Sequence, residues 1–274
     1  MKLALMSDIH STLPALQLAL TDAKAMGVDY YIFLGDYVTD GFSDNEVVRL
    51  VAEHADLAIL GNRDRALLHN DFDFNYNNQK PMHTSQQSLN SASVEYLSGL
   101  LDIRKVTIAN TRFLIVHGDQ FAELLDEKTQ HRVYERLIEH YEFDICLYGH
   151  THRVEDVMLH GKRFINPGTL GIPLDTPVFN YAILDLATNH LDVRTFESSL
   201  IFPRYEEDFR LSEYYTINPI WSELILESVR DGGNVVLPFL KYFREIHPNK
   251  TSESDHFNTD WELAFLNFRN NHKE

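Results

Sequence analysis

The chain has 274 residues, of which 44% are hydrophobic, and this composition is typical of a globular protein rather than a disordered one. It contains no run of about 18 uncharged apolar residues, so we expect no membrane span. The formal net charge of -17 disfavours nucleic acid and anionic membrane surfaces as partners, because both are normally recognised through lysine and arginine.

Two features of the chain predict a cytoplasmic protein. The apolar run at the N-terminus meets the charged residue Asp8 too early for a secretory signal, whose apolar region needs roughly 7 residues or more. The single cysteine, Cys146, lies in the apolar stretch FDICLY and is predicted to be a buried side chain of the core. With one cysteine, no disulfide can form within the chain.

The first sixty residues alternate between strand and helix patterns. Strands are predicted over residues 2–7 and over the stretches YYIFLG and LAILG. A helix follows the first strand, and the spacing of Ser43 with Glu46 predicts a capping box that opens a second helix. This alternation is typical of an α/β fold with parallel strands.

The pattern then changes to a polar, asparagine-rich stretch. Residues 67–82 are predicted to form a long loop, followed by a helix over residues 88–100. We interpret residues 71–100 as a candidate lid over the substrate, because long loops in compact domains are often functional, although disorder explains the composition nearly as well. The residues that would border the substrate are Phe72, Phe74, Tyr76, Asn77 and His83.

Later segments predict more strands and then only helices. KVTIA and RFLIVHG predict a hairpin, a helix spans residues 130–141, and FDICLY predicts a strand. The segments after GHTH predict an antiparallel meander, so the whole is interpreted as two sheets with helices outside. We divide the chain into a domain of residues 1–200 and a C-terminal helical extension of residues 201–274, packed on that domain or on a second copy in a homo-oligomer.

Polar residues follow five of the predicted strands at the point where each strand ends. They are Asp8 and His10, Asp36, Asn62 with Arg63 and Asp64, His117, and the pair His150 and His152 of the GHTH stretch. Because ligands in open α/β sheets bind beyond the carboxyl ends of the strands, we expect these side chains to converge.

Seven of these residues carry donor groups suited to metal ions, namely Asp8, His10, Asp36, Asn62, His117, His150 and His152. Seven donors are too many for one tetrahedral ion and suit two ions that share a carboxylate. Mixed carboxylate, amide and imidazole donors favour intermediate metals over calcium or magnesium, and the absence of thiolates argues against structural zinc. We therefore expect two divalent metal ions, manganese first, with iron, zinc, cobalt or nickel as alternatives.

The order of these motifs resembles that of the calcineurin-like metallophosphoesterases, and of the small bacterial phosphodiesterase-like members in particular. DIH, GD, GNRD, VHG and GHTH match the family's D-x-H, G-D, G-N-x-[D/E], H-G and G-H-x-H, and INPGTLG is similar to its NPGS segment. The resemblance covers residues 1 to about 200. It implies an α/β sandwich of two mixed sheets flanked by helices.

The resemblance also implies a ligand set and a reaction. One ion would take Asp8, His10 and His152, the other Asn62, His117 and His150, and Asp36 would bridge them. The implied activity is hydrolysis of a phosphodiester or phosphomonoester in a small phosphorylated substrate, by attack of a metal-bridging hydroxide. The alternative is a non-catalytic metal-binding scaffold or interaction module of the same fold; such relatives typically lose a histidine ligand, and all seven positions are filled here.

One position departs from the family pattern. Asn62, Arg63 and Asp64 are the candidate catalytic residues, but many members carry histidine where this chain has Arg63. Arginine cannot act as a general acid, yet it can hold a phosphoryl oxygen. Asp64 would orient Arg63 or act through a water, or else the two residues form only a structural ion pair. Without an acid, we expect a preference for easy leaving groups, such as aryl esters, anhydrides or strained cyclic diesters.

Overall fold

The computed structural model describes residues 1–72, 80–126, 128–247 and 257–271, and this part of the chain contains ten strands and eleven α-helices. The strands are β1 (Lys2–Met6), β2 (Tyr30–Phe33), β3 (Leu57–Ala58), β4 (Ile103–Ile108), β5 (Thr111–Val116), β6 (Ile145–Leu147), β7 (Val154–Leu159), β8 (Lys162–Pro167), β9 (Val178–Asp185) and β10 (His190–Glu197). The helices are α1 (Leu13–Ala25), α2 (Asp44–His54), α3 (Asn62–His69), α4 (Lys80–Ser88), α5 (Ser91–Ser98), α6 (Gln130–His140), α7 (Phe202–Leu211), α8 (Glu213–Ile217), α9 (Pro219–Asp231), α10 (Val236–Ile246) and α11 (Phe257–Asn271).

The strands form two mixed sheets of five strands each. The first has the order β10-β9-β1-β2-β3, in which β1, β2 and β3 are parallel and β9 and β10 antiparallel to their neighbours. The second has the order β4-β5-β6-β8-β7, in which β5, β6 and β8 are parallel. The predicted α/β sandwich of two mixed sheets flanked by helices is confirmed.

Alternation of side chains along the strands builds the layers. In β1, Leu3 and Leu5 contact the apolar core between the two sheets, whereas Ala4 and Met6 face the helices on the outside. Both faces of the sheet are thus covered, which explains why the strand reads as a continuous apolar run rather than an alternating one.

Helices after residue 200 pack on the outside of the first sheet. Leu224 of α9 and Phe239 of α10 belong to the same apolar cluster as Met6 of β1 and Val47 of α2. No helix in the four described ranges combines the length and the apolar character needed to cross a bilayer.

Several local predictions are wrong. The predicted meander after GHTH is two hairpins in different sheets, because β8 pairs with β6 while β9 pairs with β1. Part of the predicted loop is helical, since α3 continues to His69 and α4 begins at Lys80.

Of the residues in the predicted lid, Phe74, Tyr76 and Asn77 lie outside the described residues. Ser43 makes no capping hydrogen bond with its side chain, and the short helices α7 and α8 were not predicted.

Candidate metal centre

Five strand ends meet at one edge of the sandwich and bring the predicted ligands together. The loops after β1, β2 and β3 come from the first sheet, and those after β5 and β6 come from the second. Each loop carries its polar residues immediately beyond a buried strand, so the donors lie at the same edge although they are far apart along the chain.

Asp8, His10 and His152 form one group of potential ligands. The Nε2 atoms of His10 and His152 lie 3.2 Å apart, and Nε2 of His152 lies 3.4 Å from Oδ1 of Asp8. Asp8 and His10 are buried, and the side chain of His152 is only 12% exposed. Three donor atoms therefore face one another in a space that excludes most solvent.

The other three predicted ligands, Asn62, His117 and His150, lie together as a second set of donors. Oδ1 of Asn62 lies 3.2 Å from Nε2 of His117 and 3.0 Å from Nδ1 of His150. Asp36 stands between the groups, with Oδ2 at 3.8 Å from Nε2 of His10 and 3.4 Å from Nε2 of His117. Asp8 also reaches towards the second group, since its Oδ1 lies 3.9 Å from Nε2 of His117.

The backbone of the ligand loops adopts a conformation that is uncommon for residues other than glycine. Asp8, His10, Asp36, His150 and His152 all have φ between +45° and +66°. Such conformations cost free energy and persist where the surrounding structure imposes them, often at functional sites. Neighbouring glycines make the tight approach possible: a Cβ on Gly149 would clash with Oγ of Ser7 and lie 2.8 Å from Oδ2 of Asp8.

Outer contacts orient the imidazoles. Nδ1 of His117 donates to the carbonyl of Leu34 at 2.7 Å, and Nδ1 of His152 donates to the carbonyl of Ile172 at 2.8 Å. In the neutral form of each ring, these bonds keep the proton on Nδ1 and turn the lone pair of Nε2 towards the centre, as metal ligation requires. Nδ1 of His10 lies 3.1 Å from Oδ2 of Asp40.

The buried carboxylates of Asp8 and Asp36 favour positive charge in the centre. Burial disfavours ionisation of Asp8 and Asp36, but His152 beside Asp8 and His117 beside Asp36 outweigh it and keep both carboxyl pKa values below their usual range. Burial likewise opposes protonation of His117, yet Asp36 and Asp8 raise its pKa to about 10. Because two buried carboxylates stay ionised and draw positive charge towards them, the donor set fits divalent cations.

Comparison with known proteins agrees with this chemistry. A family model described as the calcineurin-like phosphoesterase superfamily domain matches residues 1–189. The chain belongs to this superfamily. The superfamily is one of metal-dependent, hydrolytic phosphoesterases, and membership in it is what the motif order predicts.

Individual relatives are more distant. An uncharacterised protein of Methanocaldococcus jannaschii is 27% identical over 197 residues, which cover 63% of this chain and 77% of the relative. Probable metallophosphoesterase YsnB of Bacillus subtilis is 30% identical over 94 residues, which cover 34% of this chain and 53% of the relative, so the match spans about half of YsnB. The crystal structure of a metallophosphoesterase from Sphaerobacter thermophilus superposes with a TM-score of 0.63 at 21% identity, covering 85% of this chain and 99% of that chain. This last likeness shows the fold alone.

Arg63, the position that departs from the motif of this superfamily, does not pair with Asp64. Its guanidinium lies 3.8 Å from Oδ2 of Asp40 and 3.4 Å from Sδ of Met82, and its side chain is 31% exposed. Asp64 is fully buried and accepts backbone N–H groups of Gly61, Asp36 and Tyr37 at 2.8–2.9 Å. The interpretations in which Asp64 orients Arg63 or forms an ion pair with it are therefore wrong.

Asp64 instead supports the backbone of the ligand loop. Burial and the charge of Asp36 raise the pKa of Asp64 to about 7, although the N–H groups that point at its carboxylate oppose this shift. Asp36 is held from the same side, because its Oδ1 accepts the backbone N–H of Arg63 at 2.8 Å and its Oδ2 is left to face the histidines.

Cavities open on both sides of the centre. One of about 400 Å³ lies beside Asn62, and its wall includes Arg63, Phe72, Met82 and Leu240. Phe72 belongs to the predicted lid, and its ring contacts that of His83 at 6.3 Å between centroids.

The second cavity, of about 720 Å³, lies beside His152 and is lined by Arg153, Thr169, Asp175 and Asn180 among others. Each of the two sets of donor side chains therefore borders a cavity that a substrate can enter.

Several supporting residues were missed at the level of the sequence. Thr169 donates through Oγ1 to the carbonyl of Asp8 at 2.7 Å, and Asn166 donates to the carbonyl of Gly149 at 2.8 Å. Both lie in the INPGTLG segment, whose similarity to the family motif is a signal that could have found them. Asp40 had no such signal, since it is one of 41 acidic residues and matches no motif.

Proposed function

We propose that this chain is a binuclear-metal phosphoesterase that hydrolyses a small phosphorylated substrate. The observation that carries the proposal is the pair of donor groups in one buried centre, with Oδ2 of Asp36 within 4 Å of a histidine from each. Asp8, His10 and His152 would hold one ion, Asn62, His117 and His150 the other, and Asp36 would contact both. Manganese is our first choice because carboxylate, amide and imidazole donors suit intermediate metals.

When bound, the two ions would supply an activated water and the positive charge that a phosphoryl group needs in this acidic protein. The chain's own residues supply orientation. Backbone carbonyls fix the rings of His117 and His152, and the N–H of Arg63 fixes the carboxylate of Asp36. This rigidity supports catalysis by positioning, which dominates phosphoryl transfer.

Arg63 is proposed to bind a phosphoryl oxygen of the substrate. Its guanidinium is cationic, partly exposed and lines the cavity next to Asn62. Water would attack phosphorus opposite the leaving oxygen, the phosphorus–oxygen ester bond would break, and the leaving alcohol would take up the proton that the water gives up. Arg63 would stabilise the negative charge that develops on the phosphoryl oxygens.

Arginine stays protonated and cannot donate a proton to the leaving group. We therefore expect faster hydrolysis of substrates whose leaving group is stable as an anion. The apolar side chains of Phe72, Met82 and Leu240 in the same cavity support a flat or apolar leaving group.

The test combines metal analysis with a matched substrate panel. The purified chain is stripped with a chelator, reloaded with Mn²⁺, analysed for bound metal, and assayed with p-nitrophenyl and methyl phosphomonoesters and with the corresponding diesters. We expect two equivalents of Mn²⁺, no turnover after stripping, recovery on reloading, and faster hydrolysis of the aryl esters.

Each outcome decides a separate point. Fewer than two equivalents of Mn²⁺ would overturn the binuclear assignment. Equal rates for aryl and alkyl esters would overturn the interpretation that Arg63 binds a phosphoryl oxygen and that no residue protonates the leaving group. Two tightly bound ions without turnover of any ester would favour the non-catalytic scaffold. Self-association through the C-terminal helices stays a prediction, which light scattering would decide.

A further inference from the structure

The loop that follows β2 is covered by the C-terminal helices. The ring of Phe42 packs against Tyr205 at 5.6 Å and Phe209 at 5.2 Å between centroids, both on α7. From α9, the indole N–H of Trp221 donates to Oδ1 of Asp40 at 2.8 Å. Asp40 lies four residues after Asp36, so helices beyond the family-matched region 1–189 reach the loop that carries a central metal ligand.

Asp40 is almost fully buried, with 1% of its surface exposed, and its two oxygens have different neighbours. Oδ1 accepts the Trp221 indole, whereas Oδ2 accepts the hydroxyl of Thr39 at 3.0 Å. Oδ2 also lies 3.1 Å from Nδ1 of His10 and 3.8 Å from the guanidinium of Arg63. One carboxylate thus contacts a metal ligand, the proposed phosphoryl-binding cation and a C-terminal helix.

His10 differs from the other two Nε2 ligands in how its ring is held. His117 and His152 donate from Nδ1 to backbone carbonyls, which any sequence would provide. Nδ1 of His10 is buried and has no well-aligned hydrogen-bond acceptor in the described residues, and Oδ2 of Asp40 is the group beside it. The orientation of His10 therefore depends on a side chain that α9 holds in turn.

We propose that Asp40 is a positioning residue for the His10 side of the metal centre, and that Trp221 fixes Asp40 in place. The C-terminal helices would then be part of the metal centre rather than only a packed extension. This inference rests on the proposed function only in taking His10 as a metal ligand. Outer contacts of this kind typically change metal affinity by about 10–100-fold when they are removed.

Mn²⁺ affinity of the full chain tests the proposal without relying on turnover. Calorimetric titration of the stripped protein would compare wild type, Asp40→Asn, Trp221→Phe and Trp261→Phe. The last is a matched control, because Trp261 is also buried in a C-terminal helix but packs on Phe239 and Phe243, at 4.8 Å and 5.0 Å between ring centroids.

We expect Asp40→Asn to weaken one of the two Mn²⁺ sites by about tenfold or more, because the amide cannot supply the carboxylate's charge to His10. Trp221→Phe keeps the ring packing and removes the N–H, so a smaller loss at the same site is expected, on the order of threefold. Trp261→Phe should bind as the wild type does. Thermal melts of the stripped proteins show which variants are folded.

Wild-type Mn²⁺ affinity at both sites in folded Asp40→Asn would overturn the proposal. If Asp40→Asn does not fold, Trp221→Phe decides: unchanged affinity, or a loss equal to that of Trp261→Phe, would overturn it. Failure of the proposed phosphoesterase activity gives a different result, because the wild-type protein would then bind Mn²⁺ without hydrolysing any ester. The comparison of Mn²⁺ affinity among the variants would still test the role of Asp40.

Discussion

The strand-end loops and the C-terminal helices contribute to the metal centre in different ways. The loops, all within the family-matched residues 1–189, carry every proposed ligand in short motifs. The helices contribute Trp221, which stands in no motif and acts through Asp40. The loops meet because parallel strands place their carboxyl ends at one edge, whereas the Trp221 contact arises only when α9 packs on the first sheet.

The difference teaches that ligand identity and ligand orientation come from separate parts of the chain. Removing a ligand should abolish chemistry at once. Changes in the helices should act more weakly, through packing and through the orientation of His10.

The largest effect is expected for Asp36→Asn. Loss of a carboxylate shared by both donor groups should lower turnover by about a thousandfold or more, equivalent to about 4 kcal/mol in the activation free energy. Steady-state kinetics with an aryl phosphoester and metal analysis of the purified variant provide the measurement. Asp208→Asn is the control, because Asp208 pairs with Arg204 on an exposed face of α7. Activity of Asp36→Asn close to wild type would contradict the account of the loops.

A stability comparison probes whether the helices and the sandwich form one cooperative unit. Leu224 of α9 is fully buried in the apolar cluster that also holds Met6 of β1. Leu224→Ala should lower the free energy of unfolding by about 3 kcal/mol, because truncation leaves a cavity. Leu211→Ala is the control, since Leu211 is 80% exposed.

Urea denaturation would be followed by two probes. Trp221 and Trp261 are the chain's two tryptophans, so fluorescence reports on the C-terminal helices, while circular dichroism reports on the whole molecule. Coincident transitions are expected from the shared core. A fluorescence transition at lower urea would show that the helices unfold separately.

Arg63→Ala should lower turnover by about 30-fold, roughly 2 kcal/mol, because one charge-assisted contact with the phosphoryl group is lost. Arg63→Lys keeps the charge and should recover part of the loss. Comparison of these variants with Arg204→Ala, an exposed arginine on α7, in the same aryl phosphoester assay separates a site effect from a general charge effect. Equal turnover of Arg63→Ala and wild type would remove Arg63 from the site.

The smallest effect is expected far from the centre, at Asp144. Hydrogen bonds from the side chain and backbone of Arg112 lower the pKa of Asp144 to about 2, from an ordinary value of 3.8. A lowered pKa means that the stabilisation is present above pH 4 and is lost as the pH falls towards 2. The difference in melting temperature between wild type and Asp144→Asn should therefore shrink over this range, and a constant difference would contradict the assignment.

Much of the architecture was predictable because it depends on local patterns. Apolar runs indicated the buried strands, and regularly spaced apolar residues indicated the helices. Two strand patterns around an Asn-Thr turn indicated the hairpin of β4 and β5. The pairing of β9 with β1 was not predictable, since β1 is more than 170 residues away along the chain and only the fold of the complete sheet places β9 beside it. The Asn-rich stretch misled the prediction at His69, where packing of α3 outweighs the turn preference of the following residues.

The sequence alone was enough to predict the superfamily, from the order of the motifs, and the side chains that meet at the strand ends, because each donor stands next to the strand that positions it. Only the tertiary structure decided that Asp64 supports backbone, that Arg63 lies beside Asp40, and that Trp221 reaches Asp40 from a helix some 180 residues away along the chain. Such contacts depend on how separate layers pack, and packing depends on the shape of the whole core rather than on neighbours in the sequence.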